Sequence, residues 1–353
     1  MDRREFIKSA AGAVASAAIP SVTSAAKPEP DFIWSYLAHF GMNSWKDVPM
    51  ETVPATAKPD YRENCRANHV RFDERVWRRT SEALQKAGCN QIVIDLAEFV
   101  QLPRHPELAV TGSWSVERFR NELVRLRGMG FEVIPKMNFS ACHDSWLKDY
   151  HRMVSTDIYY RVCEDVIRDC AEIFDRPRFF HIGFDEEDPG NQRRHLLCVC
   201  RQGDLWWHDL EFFIRTTEKY GMRPWMWSDY GWEHQEEFLK RMSKEPVQCN
   251  WYYADCFEAE KMKPKSYDRT TLEFFGVLEE KGYDQLPTGS NFYKPTGFVE
   301  LVDYCDRLIA PKRLLGYQMA PWMATTAVSE AKAMAGIRLL AEGIAARGRK
   351  DLA

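Results

Sequence analysis

Residues 178–188 read Arg-Phe-Phe-His-Ile-Gly-Phe-Asp-Glu-Glu-Asp. The first part is a short apolar run, which is typical of a strand that is covered on both faces. The last four residues are consecutive carboxylic acids, and burying them is costly unless they lie at an opening. In an α/β barrel the carboxyl ends of the strands form such an opening, and active sites lie there. The stretch therefore predicts a strand that ends in a site, and the alternative is a solvated acidic turn.

Strand and helix signals alternate on both sides of this stretch, without a long linker between them. Alternation of this kind indicates parallel strands with right-handed crossovers. No Gly-x-Gly-x-x-Gly follows an early strand, which disfavours a dinucleotide-binding open sheet. The sequence predicts an α/β protein, a single (β/α)8 TIM barrel over residues 27–353, with a doubly wound sheet as the alternative. The eight predicted strands cover residues 32–39, 91–96, 131–137, 178–184, 224–228, 247–252, 284–288 and 314–319.

The first 26 residues are predicted to be an export signal that is not part of the barrel. Arg3 and Arg4 precede an Ala-rich, weakly apolar run, and small residues at Ser24 and Ala26 allow cleavage after position 26. This pattern resembles a twin-arginine signal and predicts a periplasmic or extracellular protein. The alternative is an Ala-rich tail.

The composition excludes several classes of partner. The formal net charge is -4 over 353 residues, so there is no basic excess to attract nucleic acid or a membrane surface. The ten cysteines are spread along the chain and lack the dense spacing of a small disulfide scaffold. The oligomeric state is left open by the sequence.

Acidic, amide and aromatic side chains collect just after the predicted strands, which predicts a shared pocket at one end of the barrel. Carboxylates handle the protons of glycosidic cleavage, and aromatic rings stack on the C–H faces of sugars. The pattern therefore favours a carbohydrate substrate. The candidates are Glu98, Asn138, His143, Asp185, Glu186, Trp227, Asp229, Trp251, Tyr252, Tyr253 and Trp322.

Three motifs resemble those of the β-N-acetylhexosaminidases of glycoside hydrolase family 20. His-Ile-Gly-Phe-Asp-Glu at 181–186 resembles the family's His-x-Gly-Gly-Asp-Glu. Residues 135–146 resemble its strand-three motif, roughly Pro-Glu-x-Asp-x-Pro-Gly-His followed by Ser-Trp, and 227–229 its Trp-x-Asp. The chain departs from the family pattern at Phe184, where the family has Gly, and at Lys136 and Asn138, where it has Glu and Asp.

The resemblance implies a retaining, substrate-assisted glycosidase that cleaves terminal β-linked N-acetylhexosamine or a related sugar. Asp185 would orient the substrate's acetamide group, and Glu186 would be the general acid and base. Crowding by neighbouring acids is expected to raise the pKa of Glu186, while Glu187 and Asp188 have no direct role. The resemblance also implies that the pocket is walled and lined by Trp227, Trp251 and Trp322, by Tyr252 or Tyr253, and by Glu98, Asn138, His143, His181 and Asp229.

Two rival functions remain: a non-catalytic glycan-binding barrel, and a metal-dependent isomerase or lyase that uses the acids as ligands. The sequence gives no reason to expect a cofactor or a resident metal. One further cluster could hold a structural zinc, although ordinary loop packing is the preferred interpretation. It consists of His195, Cys198, Cys200 and His208.

Overall fold

The computed structural model describes residues 32–42, 45–294 and 296–350. The predicted export signal at residues 1–26 lies outside these ranges. The described part of the chain forms a (β/α)8 barrel, as predicted.

Ten strands form two sheets in the part of the chain that the structure describes. The large sheet has eight parallel strands in the order β8-β7-β6-β5-β4-β1-β10-β9, and β2 and β3 pair separately. The strands are β1 (Ile33–His39), β2 (Lys46–Pro49), β3 (Cys65–Arg66), β4 (Gln91–Asp95), β5 (Glu132–Lys136), β6 (Phe179–Gly183), β7 (Arg223–Trp227), β8 (Val247–Cys249), β9 (Thr288–Gly289) and β10 (Gly316–Met319).

The barrel closes between β8 and β9, where single β-bridges replace a continuous ladder. Gln248 pairs with Gln285, and Trp251 pairs with Thr288. The backbone N–H of Leu286 donates to the carbonyl of Gln248 at 3.0 Å, which adds a hydrogen bond to this seam. β8 and β9 are only three and two residues long, so the seam is the least regular part of the sheet.

Within the described ranges, ten α-helices surround the strands, and side-chain caps fix the starts of several of them. Asp73 accepts hydrogen bonds from the N–H groups of Arg75 and Val76 at the start of α2, and Gly88 ends that helix in the left-handed conformation. The helices are α1 (Pro59–Glu63), α2 (Glu74–Ala87), α3 (Val116–Gly128), α4 (Asp157–Ile173), α5 (Asp204–Lys219), α6 (Tyr230–Glu233), α7 (Gln235–Arg241), α8 (Tyr267–Glu280), α9 (Phe298–Leu308) and α10 (Glu330–Lys350).

Two apolar layers hold the barrel together. The larger one lies between strands and helices and includes Phe180, Ile182 and Phe184. The smaller one fills the barrel interior and includes Trp225, Trp227 and Trp251. Alternation along each strand separates the two layers. Within the described ranges, no helix combines the length and the apolar character that crossing a membrane requires.

Candidate active site

An unusual turn at the end of β6 presents the two central acids. Gly183, Phe184 and Glu186 all have positive φ, at 70°, 75° and 56°. A side chain at position 183 would bring its Cβ within 2.2 Å of Asn138 Oδ1, so only glycine fits there. Phe184 tolerates the left-handed conformation because its ring, 2% exposed, packs against the rings of Trp206 and Phe213.

Asn138, just after β5, holds Asp185 in place. Its Oδ1 accepts hydrogen bonds from the backbone N–H groups of Ser140 and Phe184, at 3.0 and 3.2 Å. Because the carbonyl side of the amide is occupied in this way, Nδ2 is directed at Asp185 Oδ1, 2.8 Å away. Asp185 is 6% exposed. Asn138 therefore fixes the orientation of a buried carboxylate.

Glu186 is the more open member of the pair, with its side chain 40% exposed. His143 Nε2 lies 3.2 Å from Glu186 Oε2 and 3.6 Å from Asp185 Oδ2, so one imidazole faces both acids. The backbone N–H of Glu186 donates to Asp229 Oδ2 at 2.8 Å. Three separate loops therefore meet at the two acids, after β5, β6 and β7.

The acids differ in their pKa values. Burial raises the pKa of Asp185, and the charge of Glu186 raises it further, against the opposing effects of His143, Lys136 and Asn138. Burial also raises the pKa of Glu186, but the hydrogen bond and charge of His143 outweigh it, and the net pKa lies below the ordinary value. Crowding therefore does not raise the pKa of Glu186, and that prediction from the sequence is wrong. Burial and the charge of Asp185 raise the pKa of Asp229 well above its usual range.

His143 carries the positive charge that balances these acids. Burial lowers its pKa, but Cys142, Asp185 and Glu186 together raise it, and the net pKa is well above 6.5. The contact between His143 and Glu186 thus favours the charged form of both groups.

Aromatic rings cover the mouth of the barrel beside the acids. Trp322 stands 5.5 Å from Trp227 between ring centroids, and its Nε1 donates to the Tyr253 hydroxyl at 3.0 Å. Trp45, from the loop after β1, lies 5.2 Å from His143 and 5.8 Å from Trp322. These contacts place an aromatic wall around the side of Asp185.

A cavity of about 580 Å³ opens on the other side, next to Glu186. Glu186 and Asp229 line it, and Trp232, Trp251 and Tyr267 supply aromatic surface. The remaining wall comes from the loop after β6 and from α6. The general-acid candidate therefore faces open volume, while Asp185 is enclosed.

A layer of polar residues lies under the site, at one level of four neighbouring strands. The register pairs His39 with Asp95, Asp95 with Lys136, and Lys136 with His181. Lys136 Nζ is 2.6 Å from Asp95 Oδ2, and both side chains are buried. Burial lowers the pKa of His39 to about 4, so this imidazole is neutral at physiological pH.

The structure corrects three predicted sugar contacts. His181 is fully buried; its Nδ1 accepts from the N–H of Gly183 at 3.0 Å, so it supports the turn from below. Glu98 is 1% exposed, and its charge acts on Arg71 and Lys148. Tyr252 packs in the layer between strands and helices and donates its hydroxyl to the Cys256 carbonyl.

The other two acids of the opening stretch are held by hydrogen bonds to neighbouring residues. Glu187 accepts from the guanidinium of Arg201, which is 3% exposed and also pairs with Asp209 at 3.0 Å. Asp188 accepts from the backbone and side-chain N–H groups of Asn191, at 3.0 and 2.7 Å.

The histidines of the proposed zinc cluster have other neighbours. His195 Nε2 lies 3.1 Å from the Cys142 carbonyl oxygen, and the ring of His208 packs against Tyr160. Cys198 and Cys200 have their sulfurs 3.9 Å apart. Loop packing is thus the better description. Among the described residues, one group does have potential ligand atoms that converge, all within 4.8 Å of one another. It consists of His143, Asp185 and Glu186.

Sequence reasoning missed Trp45, Trp232 and Tyr267, and it left the choice between Tyr252 and Tyr253 open. Trp45 and Trp232 follow β1 and β7, so position after a strand was a usable signal for both. Tyr267 starts α8, far from any predicted strand end, and no local pattern marks it.

Comparison with known proteins identifies the fold. No protein-family model and no curated protein sequence matches the chain. Solved structures do match it. Flavobacterium johnsoniae chitobiase is 15% identical with a TM-score of 0.55, over 85% of this chain and 50% of that one. Streptomyces plicatus N-acetyl-β-hexosaminidase is 12% identical with a TM-score of 0.56, over 88% and 64%. Dispersin B is 11% identical with a TM-score of 0.53, over 77% and 95%.

These similarities confirm, at the level of the fold, the resemblance to family 20 hexosaminidase barrels. The chain spans half the length of the chitobiase.

Proposed function

We propose that the protein is a glycoside hydrolase that cleaves terminal β-linked N-acetylhexosamine, or a related sugar, by a retaining, substrate-assisted mechanism. The observation that carries the proposal is the division of roles at the end of β6. Asp185 is buried and oriented by Asn138, whereas Glu186 is half-open, bonded to His143 and faces a cavity. The fold shared with hexosaminidase structures supports the same conclusion.

In this mechanism the nucleophile is the carbonyl oxygen of the substrate's own acetamide. Asp185 accepts the acetamide N–H and stabilises the positive charge that develops on the cyclic intermediate. The fixed orientation of its carboxylate by Asn138 suits this role, because a preorganised group needs no rearrangement as charge develops.

Glu186 transfers a proton to the leaving oxygen and then activates water. Because the pKa of Glu186 lies below its ordinary value, we assign the proton to His143, whose Nε2 is 3.2 Å from Glu186 Oε2. His143 gives this proton to Glu186 and becomes neutral, and Glu186 passes the same proton to the glycosidic oxygen as the bond to the sugar breaks, which leaves Glu186 as a carboxylate that can take a proton from water. The cavity beside Glu186 is the place for the leaving group.

The test is turnover of an aryl N-acetyl-β-glucosaminide by the full chain and by Glu186→Gln. We expect Glu186→Gln to lower kcat by about 10²–10⁴-fold, the usual contribution of a general acid. The matched control is Glu82→Gln, the same change on the exposed face of α2, which should leave the rate unchanged. An unchanged rate for Glu186→Gln would contradict the assignment.

Two rivals are decided by the same assay. Absence of turnover for any aryl glycoside, together with measurable glycan binding, identifies a non-catalytic binding barrel. A metal-dependent enzyme has one observation in its favour, the convergence of His143, Asp185 and Glu186. Activity that disappears with a chelator and returns with a divalent metal would support it.

A further inference from the structure

Three side chains at the barrel mouth supply nitrogen and oxygen atoms at distances that suit a small metal ion. Zinc binds histidine nitrogen and carboxylate oxygen at about 2.0–2.2 Å, so ligand atoms of a tetrahedral site lie roughly 3.3–3.6 Å apart. His143 Nε2 is 3.2 Å from Glu186 Oε2 and 3.6 Å from Asp185 Oδ2. The three ligand atoms all lie within 4.8 Å of one another. Two of the three distances between ligand atoms, from His143 to each carboxylate, are therefore already close to those of a tetrahedral zinc site.

The buried carboxylate of Asp185 has one oxygen available for such an ion. Oδ1 accepts from Asn138 at 2.8 Å, and among the described residues no hydrogen bond reaches Oδ2, although Asp185 is only 6% exposed. A ligand carboxylate whose second oxygen is held by a hydrogen bond is the usual arrangement around a protein-bound metal. Asn138 would therefore orient a metal ligand with the same contact that orients Asp185 now.

The third distance, between the carboxylate oxygens of Asp185 and Glu186, can be adjusted by a movement of Glu186. Its side chain is 40% exposed, so it can move toward Asp185 without repacking the barrel interior. The same exposure leaves a fourth position open toward solvent. Three protein ligands with one open position describe an exchangeable site rather than a structural one.

The charges also favour a divalent cation. Asp185 and Glu186 bring two negative charges, and Asp229 lies close enough to act on both. The opposing cations are Lys136, which pairs with Asp95, and Lys46. A histidine ligand and a total of three protein ligands suit zinc-type metals, whereas Mg²⁺ and Ca²⁺ prefer sites built of six or more oxygens.

We propose that His143, Asp185 and Glu186 bind one zinc-type divalent ion, and that this ion competes with the sugar for the site. Metal binding follows from the geometry alone, while the competition rests on the proposed function. With the ion bound, His143 Nε2 and the carboxylates of Asp185 and Glu186 contact the metal and are not available to the sugar. The metal is thus an inhibitor that acts on the reacting groups themselves.

The experiment is calorimetric titration of the full chain with ZnCl2 in a Cys198→Ser/Cys200→Ser background, since these thiols, 3.9 Å apart, are a second place for zinc. We expect one zinc per chain, with affinity lowered at least about tenfold by His143→Asn or Asp185→Asn, and about 10–100-fold by Asn138→Ala. Glu186→Gln gives the same loss without touching a buried position. MgCl2 should give no comparable binding, and His208→Asn is the matched control that leaves zinc binding unchanged.

Loss of all zinc binding in the Cys→Ser background overturns the proposal, as does a set of ligand variants that bind zinc as the parent does. The kinetic measurement tests the competition separately from the titration. If aryl N-acetyl-β-glucosaminide is hydrolysed, zinc should raise KM with kcat unchanged, and a chelator should reverse this. If nothing is hydrolysed, the proposed function fails, and the titration still decides the metal site.

Discussion

Asn138 shows how one residue can serve two neighbours in a buried site. Its Oδ1 binds two backbone N–H groups, and its Nδ2 binds Asp185. An aspartate at this position would keep the acceptor and lose the donor. The amide at 138 therefore matches a site in which Asp185 needs a hydrogen-bond donor rather than another charge.

We predict that Asn138→Asp destabilises the protein by about 1–3 kcal/mol at pH 8, the cost of a buried group left unpaired. This loss of stability should be smaller toward pH 4, because the introduced carboxyl group, once protonated, can again donate a hydrogen bond to Asp185. Urea unfolding of the parent and the variant at both pH values measures this difference in the free energy of unfolding. Asn138→Ala, which loses the donor without gaining a charge, should show a weaker pH dependence. Equal deficits at both pH values for Asn138→Asp would contradict the argument.

The charge of His143 gives a second prediction, on the pH dependence of stability. Its folded-state pKa lies above the ordinary value of 6.5. The stabilisation from its ion pairs is therefore complete below pH 6.5, and it is lost as the pH rises through the folded-state pKa. The Tm difference between the parent and His143→Asn should be largest in acid and should decline above pH 6.5. A Tm difference that grows with rising pH would contradict the assignment of a positive charge to His143.

The sequence could predict the two acids but not all of their surroundings. Asp185, Glu186, Asn138 and His143 follow apolar strands directly, so their meeting at one barrel end follows from the alternation of elements. The choice between Tyr252 and Tyr253 depends on which residues of a short strand face inward, and β8 ends at Cys249. Beyond that point the period of two no longer gives the direction of a side chain.

At the scale of elements, the turn after β6 depends on packing to hold an unfavourable backbone. Phe184 has φ of 75°, a conformation that costs a residue with a Cβ about 1 kcal/mol or more. Its ring meets Trp206 and Phe213 of α5, and the guanidinium of Arg201 lies 4.5 Å from the ring centroid. Phe184 therefore lies against α5, and its ring does not fill the space over Asp185.

We predict that Phe184→Ala destabilises the protein by about 3–5 kcal/mol, as expected for loss of a buried aromatic ring. Phe184→Gly should cost about 1 kcal/mol less than Phe184→Ala, although it removes one more carbon, because glycine accepts the positive φ freely. Urea unfolding of the two variants tests this order. A larger loss for the glycine variant would show that the backbone at 184 is not strained.

Most of the longer elements were predictable because each has a clear apolar period, and α2, α3, α4 and α8 also have a side-chain N-cap. The exceptions are informative. The short elements β2, α1 and β3 are absent from the elements predicted from the sequence. These elements are two to five residues long, which is too short for a period to be recognised. The helices α6 and α7 were missed for the same reason.

At the scale of the whole molecule, the loop after β1 is joined to the loop after β6 across the barrel mouth. Asp47, 1% exposed, accepts hydrogen bonds from the backbone N–H groups of Leu196 and Leu197, at 2.7 and 2.8 Å. The same loop carries Trp45, which contacts His143. Asp47 thus ties together two loops that border the acids.

We predict that Asp47→Ala lowers stability by about 1–3 kcal/mol, the cost of leaving buried donors without a partner. Amide hydrogen exchange at Leu196 and Leu197 should become faster, while exchange in β4 and β5 should be unchanged. The matched control is Glu51→Ala, an exposed acid of the same loop. Unchanged exchange at the two leucines would show that Asp47 does not hold the loops together.

The cavity and the carboxylate supports belong to different loops. Asn138 and His143 follow β5, whereas part of the cavity wall comes from four residues after β7: Trp232, Glu233, His234 and Glu237. The two regions can therefore be randomised separately in a laboratory selection. Under the proposed function, a library confined to 232–237 would change which leaving groups are accepted and preserve the proposed proton-transfer residues, so the fold would offer an engineer a specificity region that is separable from the reaction centre.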